Sequence, residues 1–409
     1  MRLRTLFALY LIATAAAIGS PFAIQTVEMA RRRMIPVNSE APLEPAPAQL
    51  EAPRGQFQPL PACQAPDGVE YYKDYHFSSG SDINDRRTFV PDITVQFCAV
   101  SNDGTVYLVG SSLVGTSDNQ FWFRAYTRSG QLKWSMPRDE YCSPPALARD
   151  GTAYFISMPR AGNTALTAVD VVGNVRWTLA TGGFDWNPVP PAIGPDGTVY
   201  AYTGVQSAPE IVAVTAERKK LWNTSVSAKV SQLVVSPDGT IVVNVPSGHA
   251  LAFDPQGHEL WRFYSGARVI NGGIAVAADG TVYFAAGFLF ALDKKGATKW
   301  TYKSDRTYTT NDYFDGSPVV AEDGTIYVDS YYHQLYAVTP DGRKKWGVSG
   351  TSTSLPGLML SSDGGLRTEW AWFALSSGLA THGWPSPNGD AGNRRSQETN
   401  ESGATKEAQ

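Results

Sequence analysis

The chain has little charge and few of the residue types that most often carry chemistry. Charged residues make up 18% of its 409 residues, the formal net charge is −4, and there are five histidines and three cysteines. It shows no basic patch or stripe of the kind that binds nucleic acid, which argues against DNA- and RNA-binding classes. Neither a CxxC nor an HExxH motif is present, so zinc or thioredoxin-like chemistry is not indicated.

Glycine and aromatic residues, in contrast, are plentiful. The chain contains 38 Gly, 19 Tyr, 17 Phe and 11 Trp, and 43% of its residues are hydrophobic, which is enough for a substantial core. Aromatic residues favour strands, and frequent glycine favours tight turns. The composition therefore predicts β-structure rather than a helix bundle.

The first 30 residues have the layout of a targeting segment. Arg2 and Arg4 precede an uncharged stretch, Thr5–Ile24, as in a secretory signal. Cleavage after Gly19 would place the small residue Ala17 at the minus-three position. The apolar run is nevertheless about 20 residues long, enough to span a bilayer as a helix. We therefore expect export of the remaining chain, with either a cleaved signal or an N-terminal anchor helix.

Composition divides the rest of the chain into three parts. Residues 31–68 are rich in proline and alanine, which predicts an extended, semi-rigid linker. Residues 69–390 form the predicted folded domain. Residues 391–409 are polar, and we expect this tail to be disordered.

Export also permits disulfide bonds. With three cysteines in the chain, at most one internal bridge can form. A bridge from Cys63 to Cys98 or to Cys142 would tie the N-terminal segment to the domain. Three buried thiols are the alternative.

A ten-residue pattern recurs through the predicted domain. Each copy has Ala first, Asp or Thr third and Trp tenth, and Gly is sixth in every copy except the one with Arg218. The six copies end at Trp134, Trp177, Trp222, Trp261, Trp300 and Trp346. An Asp-Gly pair and a β-prone run, as in "DGTVYLV" (103–109), precede each copy, and a weaker seventh pair begins at Asp363. The Asp-Gly pairs are 47, 46, 42, 41, 44 and 40 residues apart, a period typical of repeat architectures.

The local chemistry of the repeat predicts its fold. Asp-Gly favours a tight hairpin turn with positive φ at both central residues. Together with a second turn near the sixth-position glycine, it gives four antiparallel strands per unit. Such a sheet is apolar on both faces, and radial stacking buries both. The recurring tryptophans are predicted to fill the gaps between neighbouring units, and the turn aspartates to serve the turns rather than bind calcium.

The predicted architecture is thus an all-β propeller of four-stranded antiparallel blades. Seven Asp-Gly pairs predict seven blades. Eight is the alternative, because residues 69–90 could supply further strands. In a milder version, that stretch contributes one strand to the last blade, which lacks a clear fourth strand of its own.

The pattern Ala-x-Asp-x-x-Gly-x-x-x-Trp resembles the tryptophan-docking motif of PQQ-like β-propeller repeats, over roughly residues 90–390. That family includes quinoprotein dehydrogenases and the propeller lipoprotein of the bacterial outer-membrane β-barrel assembly machinery. The dehydrogenases cover their cofactor with a disulfide between adjacent cysteines, and this chain has no Cys-Cys pair. The resemblance therefore implies the fold, and we expect no cofactor and no catalytic residues.

Surface recognition is the remaining role. In a propeller, the loops that join one blade to the next gather around the mouth of the channel on one face. Exposed Trp and Tyr beside polar groups are common anchors of interfaces and ligand sites. The candidate mouth residues are Glu140, Tyr141, Asp185, Trp186, Asn187, Arg268, Asp312, Tyr313 and Asp315. The alternative is that Trp186 and Tyr313 only pack the ends of the blades.

The functional expectation is a non-catalytic, exported propeller that binds another envelope or extracellular protein as a scaffold. It would face the periplasm or the outside, with a possible membrane tether through residues 5–24. A propeller that binds a small ligand or a glycan is the second hypothesis, and a PQQ-dependent dehydrogenase is the third. We expect neither a metal nor a nucleic acid as a partner.

Overall fold

The computed structural model describes much of the predicted domain and short stretches before it. The described residues are 37–38, 42–47, 49–50, 61–64, 70–72, 93–112, 120–138, 141–158, 164–182, 189–203, 208–246, 248–267, 272–304, 313–314, 316–331, 334–349, 358–360, 364–367, 372–380 and 389. The predicted targeting segment (1–30) and the polar tail (391–409) lie outside them. Among the described residues, no helix is long and apolar enough to cross a membrane.

Four short strands precede the repeats. They are β1 (Val37–Asn38), β2 (Gln49–Leu50), β3 (Pro61–Gln64) and β4 (Glu70–Tyr72). β3 and β4 pair with each other as an antiparallel hairpin, whereas β1 and β2 each join a sheet built by the repeats.

Within the described residues, the repeats form seven sheets, each an antiparallel meander. We number the sheets in chain order. Sheet 1 contains β5 (Ile93–Val100), β6 (Val106–Ser112), β7 (Phe121–Tyr126) and β8 (Leu132–Arg138). Sheet 2 contains β9 (Tyr141–Cys142), β10 (Ala146–Leu147), β11 (Ala153–Met158), β12 (Ala165–Val169) and β13 (Val175–Ala180). Sheet 3 contains β14 (Ala192–Ile193), β15 (Val199–Thr203), β16 (Glu210–Val214) and β17 (Lys220–Ser225).

The remaining sheets follow the same plan. Sheet 4 contains β18 (Gln232–Val235), β19 (Ile241–Val245), β20 (His249–Phe253) and β21 (Glu259–Tyr264). Sheet 5 contains β22 (Gly273–Val276), β23 (Val282–Ala286), β24 (Phe288–Leu292) and β25 (Thr298–Tyr302). Sheet 6 contains β26 (Val319–Val320), β27 (Ile326–Asp329), β28 (Gln334–Val338) and β29 (Lys344–Ser349). Sheet 7 contains β30 (Met359–Leu360), β31 (Gly365–Arg367) and β32 (Trp372–Ala374).

The Asp-Gly turns differ in detail from the sequence prediction. Gly104 has a φ of 79°, but the aspartate before it has an ordinary negative φ. The N–H of Gly104 donates to the oxygen of Ser101, and the N–H of Ser101 donates to the oxygen of Thr105, both at 3.0 Å. This is a turn that ends in a left-handed glycine at a bulge. The prediction of positive φ at both residues was therefore wrong. In the observed turn, the Asp103 carboxylate accepts the N–H of Thr105 at 2.9 Å.

Consecutive sheets pack face to face. Phe123 of sheet 1 meets Phe155 of sheet 2 with ring centroids 4.9 Å apart, and Trp346 of sheet 6 meets Phe373 of sheet 7 at 6.0 Å. Innermost strands also contact each other from sheet to sheet, from β5 to β10 and onward to β14, β18, β22 and β26. The first-position alanines, such as Ala291, are fully buried. Burying both faces of each sheet against neighbours is what the apolar alternation requires, at about 1.5–3 kcal/mol per large side chain.

The fourth strand of sheet 7 comes from the N-terminal part of the chain. β2 pairs antiparallel with β32, with Gln49 opposite Phe373 and Leu50 opposite Trp372. β1 pairs in parallel with β25, the outermost repeat strand of sheet 5. Residues predicted to be a linker therefore extend two of the sheets. β4, which lies in the stretch predicted as a source of this strand, pairs with β3 instead.

Candidate functional site

Each sheet has two ends, which differ in the connections that they carry. Turns between the first and second strands, and between the third and fourth, lie at one end, which we call the turn face. Connections between the second and third strands, and from one sheet to the next, lie at the other end, which we call the loop face. This follows from the antiparallel order of the strands. Of the predicted mouth residues, Tyr141 and Tyr313 are described, and both lie at the loop face.

The aspartates of the turn face are occupied within their own turns. The Asp oxygen accepts the N–H of the following threonine at 2.8 Å in Asp150–Thr152 and at 2.8 Å in Asp279–Thr281. In sheet 6, Lys345 reaches from the outer strand and donates to Asp323 at 3.2 Å. No group of three or more metal-binding side chains occurs among the described residues. The geometry matches turn chemistry at these positions.

These hydrogen bonds also set the charge of the carboxylates. Burial alone would raise the pKa of Asp238, but hydrogen bonds from Ser236, Lys294 and Thr240 outweigh it and lower the pKa to about 2. The pKa values of Asp103, Asp279 and Asp323 are lowered in the same way. The turn face therefore carries fixed negative charges, several of them neutralised by neighbouring lysines.

The docking tryptophans share one geometry. The indole N–H of one sheet donates to the main-chain oxygen of the fourth residue of the repeat in the next sheet. The nitrogen–oxygen distances are 3.0 Å for Trp134–Val171, 2.7 Å for Trp177–Ala216, 2.8 Å for Trp222–Pro255, 3.0 Å for Trp261–Lys294 and 2.8 Å for Trp300–Pro340. Trp346 is buried against Phe373 of sheet 7. These contacts link neighbouring sheets.

Sequence reasoning missed the aromatic ring that lies beside five of these tryptophans. In five sheets, the tyrosine of the DGTxY run lies beside the tryptophan of its own sheet, with ring centroids 5.6–6.0 Å apart. Tyr107 also donates its hydroxyl to the oxygen of Gly151 in sheet 2, at 2.9 Å. Its burial raises the pKa of the phenol, so the hydroxyl stays protonated as a donor. The recurrence of Tyr two residues after the threonine was the available signal.

On the loop face, Tyr141 lies at the junction of sheets 1 and 2. It pairs through β9 with Met158 at the end of β11. Its ring meets Phe97 at 6.2 Å and Phe121 at 5.8 Å, both edge-on. Burial raises the pKa of the Tyr141 phenol. Tyr141 thus packs between two sheets and offers only part of its surface.

Tyr313 is partly buried and belongs to an aromatic pair on the loop face. Its ring stacks on Tyr331 with centroids 4.8 Å apart and planes 16° apart, and the N–H of Tyr331 donates to the oxygen of Tyr313 at 2.9 Å. Tyr331 is 50% exposed. The next residue, Phe314, is fully buried and bridges Gly287 and Ser330, which fixes the pair to sheets 5 and 6.

A second stacked pair lies on the loop face of sheet 4. His249, at the start of β20, and Tyr264, at the end of β21, have ring centroids 4.4 Å apart and planes 22° apart. The other predicted mouth residues, Glu140, Asp185, Trp186, Asn187, Arg268, Asp312 and Asp315, lie outside the described residues. The structure therefore describes the two tyrosines of the predicted site and none of its other residues.

The cysteines narrow the disulfide prediction. Cys98, in β5, is disulfide-bonded, and Cys142 carries a buried thiol. β3, which contains Cys63, lies next to β5. With three cysteines in the chain, we infer that Cys63 is the partner of Cys98.

The repeats match a known family. The PQQ-repeat family model described as outer membrane protein assembly factor BamB matches residues 246–367. Residues 246–367 are therefore similar to PQQ-like propeller repeats. The resemblance predicted from the tryptophan motif is confirmed, and the match covers sheets 5 and 6 with parts of sheets 4 and 7.

Solved structures extend the comparison to a larger part of the chain. BamB from Moraxella catarrhalis is 14% identical, covers 80% of this chain and 100% of its own, and superposes with a TM-score of 0.50. Saccharomyces cerevisiae Sqt1 is 10% identical over 68% of this chain and 80% of its own, at 0.52. Staphylococcus aureus virginiamycin B lyase is 12% identical over 68% and 94%, at 0.50. At these identities the likeness establishes the β-propeller fold alone. No curated protein matches in sequence.

Proposed function

We propose that this chain is an exported, non-catalytic propeller of seven blades that binds another protein at the cell envelope through its loop face. The observation that carries the proposal is the stacked pair Tyr313–Tyr331 at the loop end of sheets 5 and 6, in which Tyr331 is half-exposed and Tyr313 is partly buried. A rigid aromatic pair offers a large contact area at little cost in side-chain entropy, which is why tyrosine anchors many interfaces.

The strand inventory of the described residues supports seven blades. Seven sheets reach four strands when β2 is counted with sheet 7. An eighth blade would need strands from residues 69–90, where β4 is engaged with β3. We therefore prefer seven blades to eight.

Two further observations favour binding over catalysis. The carboxylates of the described turn face are tied to threonines and lysines of their own turns, so they serve the fold. The matching family model is named for an assembly factor of outer membrane proteins, a role in an envelope. By analogy with that name, we place this chain at the envelope with a protein as its partner. The fold likeness to a lyase transfers no chemistry to this chain.

The proposal is tested by capturing partners from detergent-solubilised envelopes with the full-length tagged protein. Tyr331→Ala and Trp186→Ala should each reduce recovery of a specific protein by at least tenfold. Lys295→Ala, an exposed turn-face residue of sheet 5, is the matched control and should retain it. Equal recovery by all variants would refute loop-face binding.

Export is tested on the same samples by N-terminal sequencing. A soluble, exported protein beginning near Ser20 would indicate a cleaved signal, and a membrane-bound chain with its first residues intact would indicate an anchor. A full-length chain found only in the cytoplasm would contradict the envelope assignment.

A further inference from the structure

The N-terminal part of the chain covers the outer edges of three neighbouring sheets. We call the described residues 37–38, 42–47 and 49–50 the strap. It pairs with β25 of sheet 5, bonds to β29 of sheet 6 and completes sheet 7 through β32. Outermost strands present unpaired N–H and C=O groups, and proteins commonly cover such edges. The strap does this for sheets 5 to 7.

The contact with sheet 6 shows what such an edge binds. The N–H of Leu43 donates to the oxygen of Lys344 at 3.1 Å, and the N–H of Glu44 donates to the oxygen of Lys345 at 2.9 Å. The Glu44 carboxylate lies 4.0 Å from the ammonium of Lys345, which also pairs with Asp323 at 3.2 Å. Sheet 6 therefore holds a bent segment of the strap through two consecutive main-chain hydrogen bonds and one glutamate–lysine pair.

Sheets 1 to 4 carry no such cover among the described residues. Their outermost strands β8, β13, β17 and β21 each pair on one side only. At the two repeat positions equivalent to Lys344 and Lys345, each of these strands exposes an aliphatic side chain. The exposed fractions are 53% for Leu132, 47% for Val175, 46% for Leu221 and 51% for Leu260. An open strand edge is a template for pairing with another chain, and an exposed aliphatic side chain beside it adds apolar contact area.

Sheets 1 and 2 also repeat the charge arrangement of sheet 6. Lys133 and Arg176 stand at the position of Lys345. Arg176 lies 3.4 Å from Asp150, as Lys345 lies near Asp323, and its side chain is 39% exposed compared with 19% for strap-covered Lys345. Asp150 thus holds the guanidinium of Arg176 in position, and the side chain of Arg176 remains accessible to a partner.

We infer that the outer rim of sheets 1 and 2, defined as Leu132, Lys133, Val175 and Arg176, binds an extended acidic segment of a partner protein. The segment adds to the edge through main-chain hydrogen bonds, as β1 does on sheet 5 and β2 does on sheet 7. An aliphatic residue lies against the exposed valine or leucine, and the glutamate after it pairs with the rim cation. This is a second interaction surface, separate from the loop face, and it adds a strand to an existing sheet.

The probe is a fluorescein-labelled peptide of residues 40–51, "EAPLEPAPAQLE", titrated into the full-length protein and followed by anisotropy. We expect saturable binding. Val175→Asp and the pair Lys133→Glu with Arg176→Glu should each weaken it at least tenfold, and a peptide with Glu44→Lys should regain affinity for the charge-reversed protein. The substituted positions are exposed, and circular dichroism verifies folding.

Two control variants show whether the rim itself holds the peptide. Lys295→Glu reverses one charge on the turn face of sheet 5, and Tyr331→Ala alters the loop face; both variants should bind the peptide like the unmodified protein. Loss of binding in either control, or unchanged binding in the rim variants, overturns the proposal. Sedimentation that shows dimers dispersed by Arg176→Glu would make a second copy the occupant and overturn the assignment to a separate partner.

Discussion

The indole N–H of Trp177 donates to the main-chain oxygen of Ala216 in the next sheet, 2.7 Å away. The same bond recurs at four other junctions, and the residue two positions after each acceptor has a positive φ. Where that residue is glycine, its bare Cα lies on the indole: a Cβ at Gly173, Gly257, Gly296 or Gly342 would lie 2.6–2.8 Å from ring atoms. Beside Trp177 the position belongs to Arg218, with a φ of 74°.

Replacing this arginine should stabilise the protein. A non-glycine residue in the left-handed region costs roughly 1 kcal/mol, and glycine removes that cost. Arg218→Gly should therefore raise the free energy of unfolding by about 1 kcal/mol, measured from urea midpoints. Lys219→Gly, at the neighbouring turn position, is the control and should not stabilise. A loss of stability in Arg218→Gly would show that the arginine side chain makes a stronger contribution than its backbone strain.

The reverse change isolates the contact between glycine and indole. In Gly296→Ala, the new Cβ would lie 2.7 Å from the ring of Trp261, and the backbone would also be strained at a φ of 75°. Gly266→Ala carries similar strain at a φ of 80°, but its Cβ would meet nothing within 4 Å. We expect a loss of about 1 kcal/mol for Gly266→Ala and about 3 kcal/mol for Gly296→Ala. Equal losses would mean that the indole moves aside freely.

Asp238 should make stability depend on pH. Its pKa is about 2 in the folded protein, below the unfolded value of 3.8, so its contribution is present above pH 4 and is lost as the pH falls through about 2. Since its side chain is 41% exposed, solvent screening reduces the expected contribution to about 1 kcal/mol. Asp238→Asn should thus lower the urea midpoint at pH 7 and converge with the unmodified protein near pH 2. Glu217→Gln, at an exposed turn carboxylate, is the control. A difference that persists at pH 2 would point to a contribution from hydrogen bonding rather than charge.

The disulfide assignment is open to a direct chemical test. Peptide mapping without reduction should recover Cys63 linked to Cys98, and Cys142→Ala should leave that peptide unchanged. Because the bridge closes a loop between an N-terminal hairpin and sheet 1, Cys63→Ser should lower the free energy of unfolding by about 2–4 kcal/mol. A peptide that links Cys142 to either partner would contradict the assignment.

The sequence predicted the fold well because the repeat encodes it locally. Each Asp-Gly turn and each tryptophan position is determined within a few residues of its own sheet, so the periodicity alone indicates where strands begin and end. The turn type was wrong because Asp-Gly fits more than one hairpin geometry, and the threonine after the pair is what selects one of them.

Long-range pairings could not be predicted in the same way. β2 is two residues long within a proline- and alanine-rich stretch, and no alternation indicates its partner near residue 373. The stacked pair Tyr313–Tyr331 likewise joins residues in different loops. Tyr313 was predicted from its residue type, and Tyr331 was missed because its relation to Tyr313 depends on how sheets 5 and 6 meet.

The origin of the last strand of sheet 7 has a consequence for how the molecule is made. During synthesis, residues 49–50 leave the ribosome more than 300 residues before the strand they will pair with. Sheets 1 to 6 are each built from consecutive repeat strands, but sheet 7 gains its fourth strand only when the end of the chain pairs with β2. Until that pairing forms, β2 and β32 each have an unpaired edge. Removing β2 from one end of the chain or β32 from the other should therefore destabilise the same sheet.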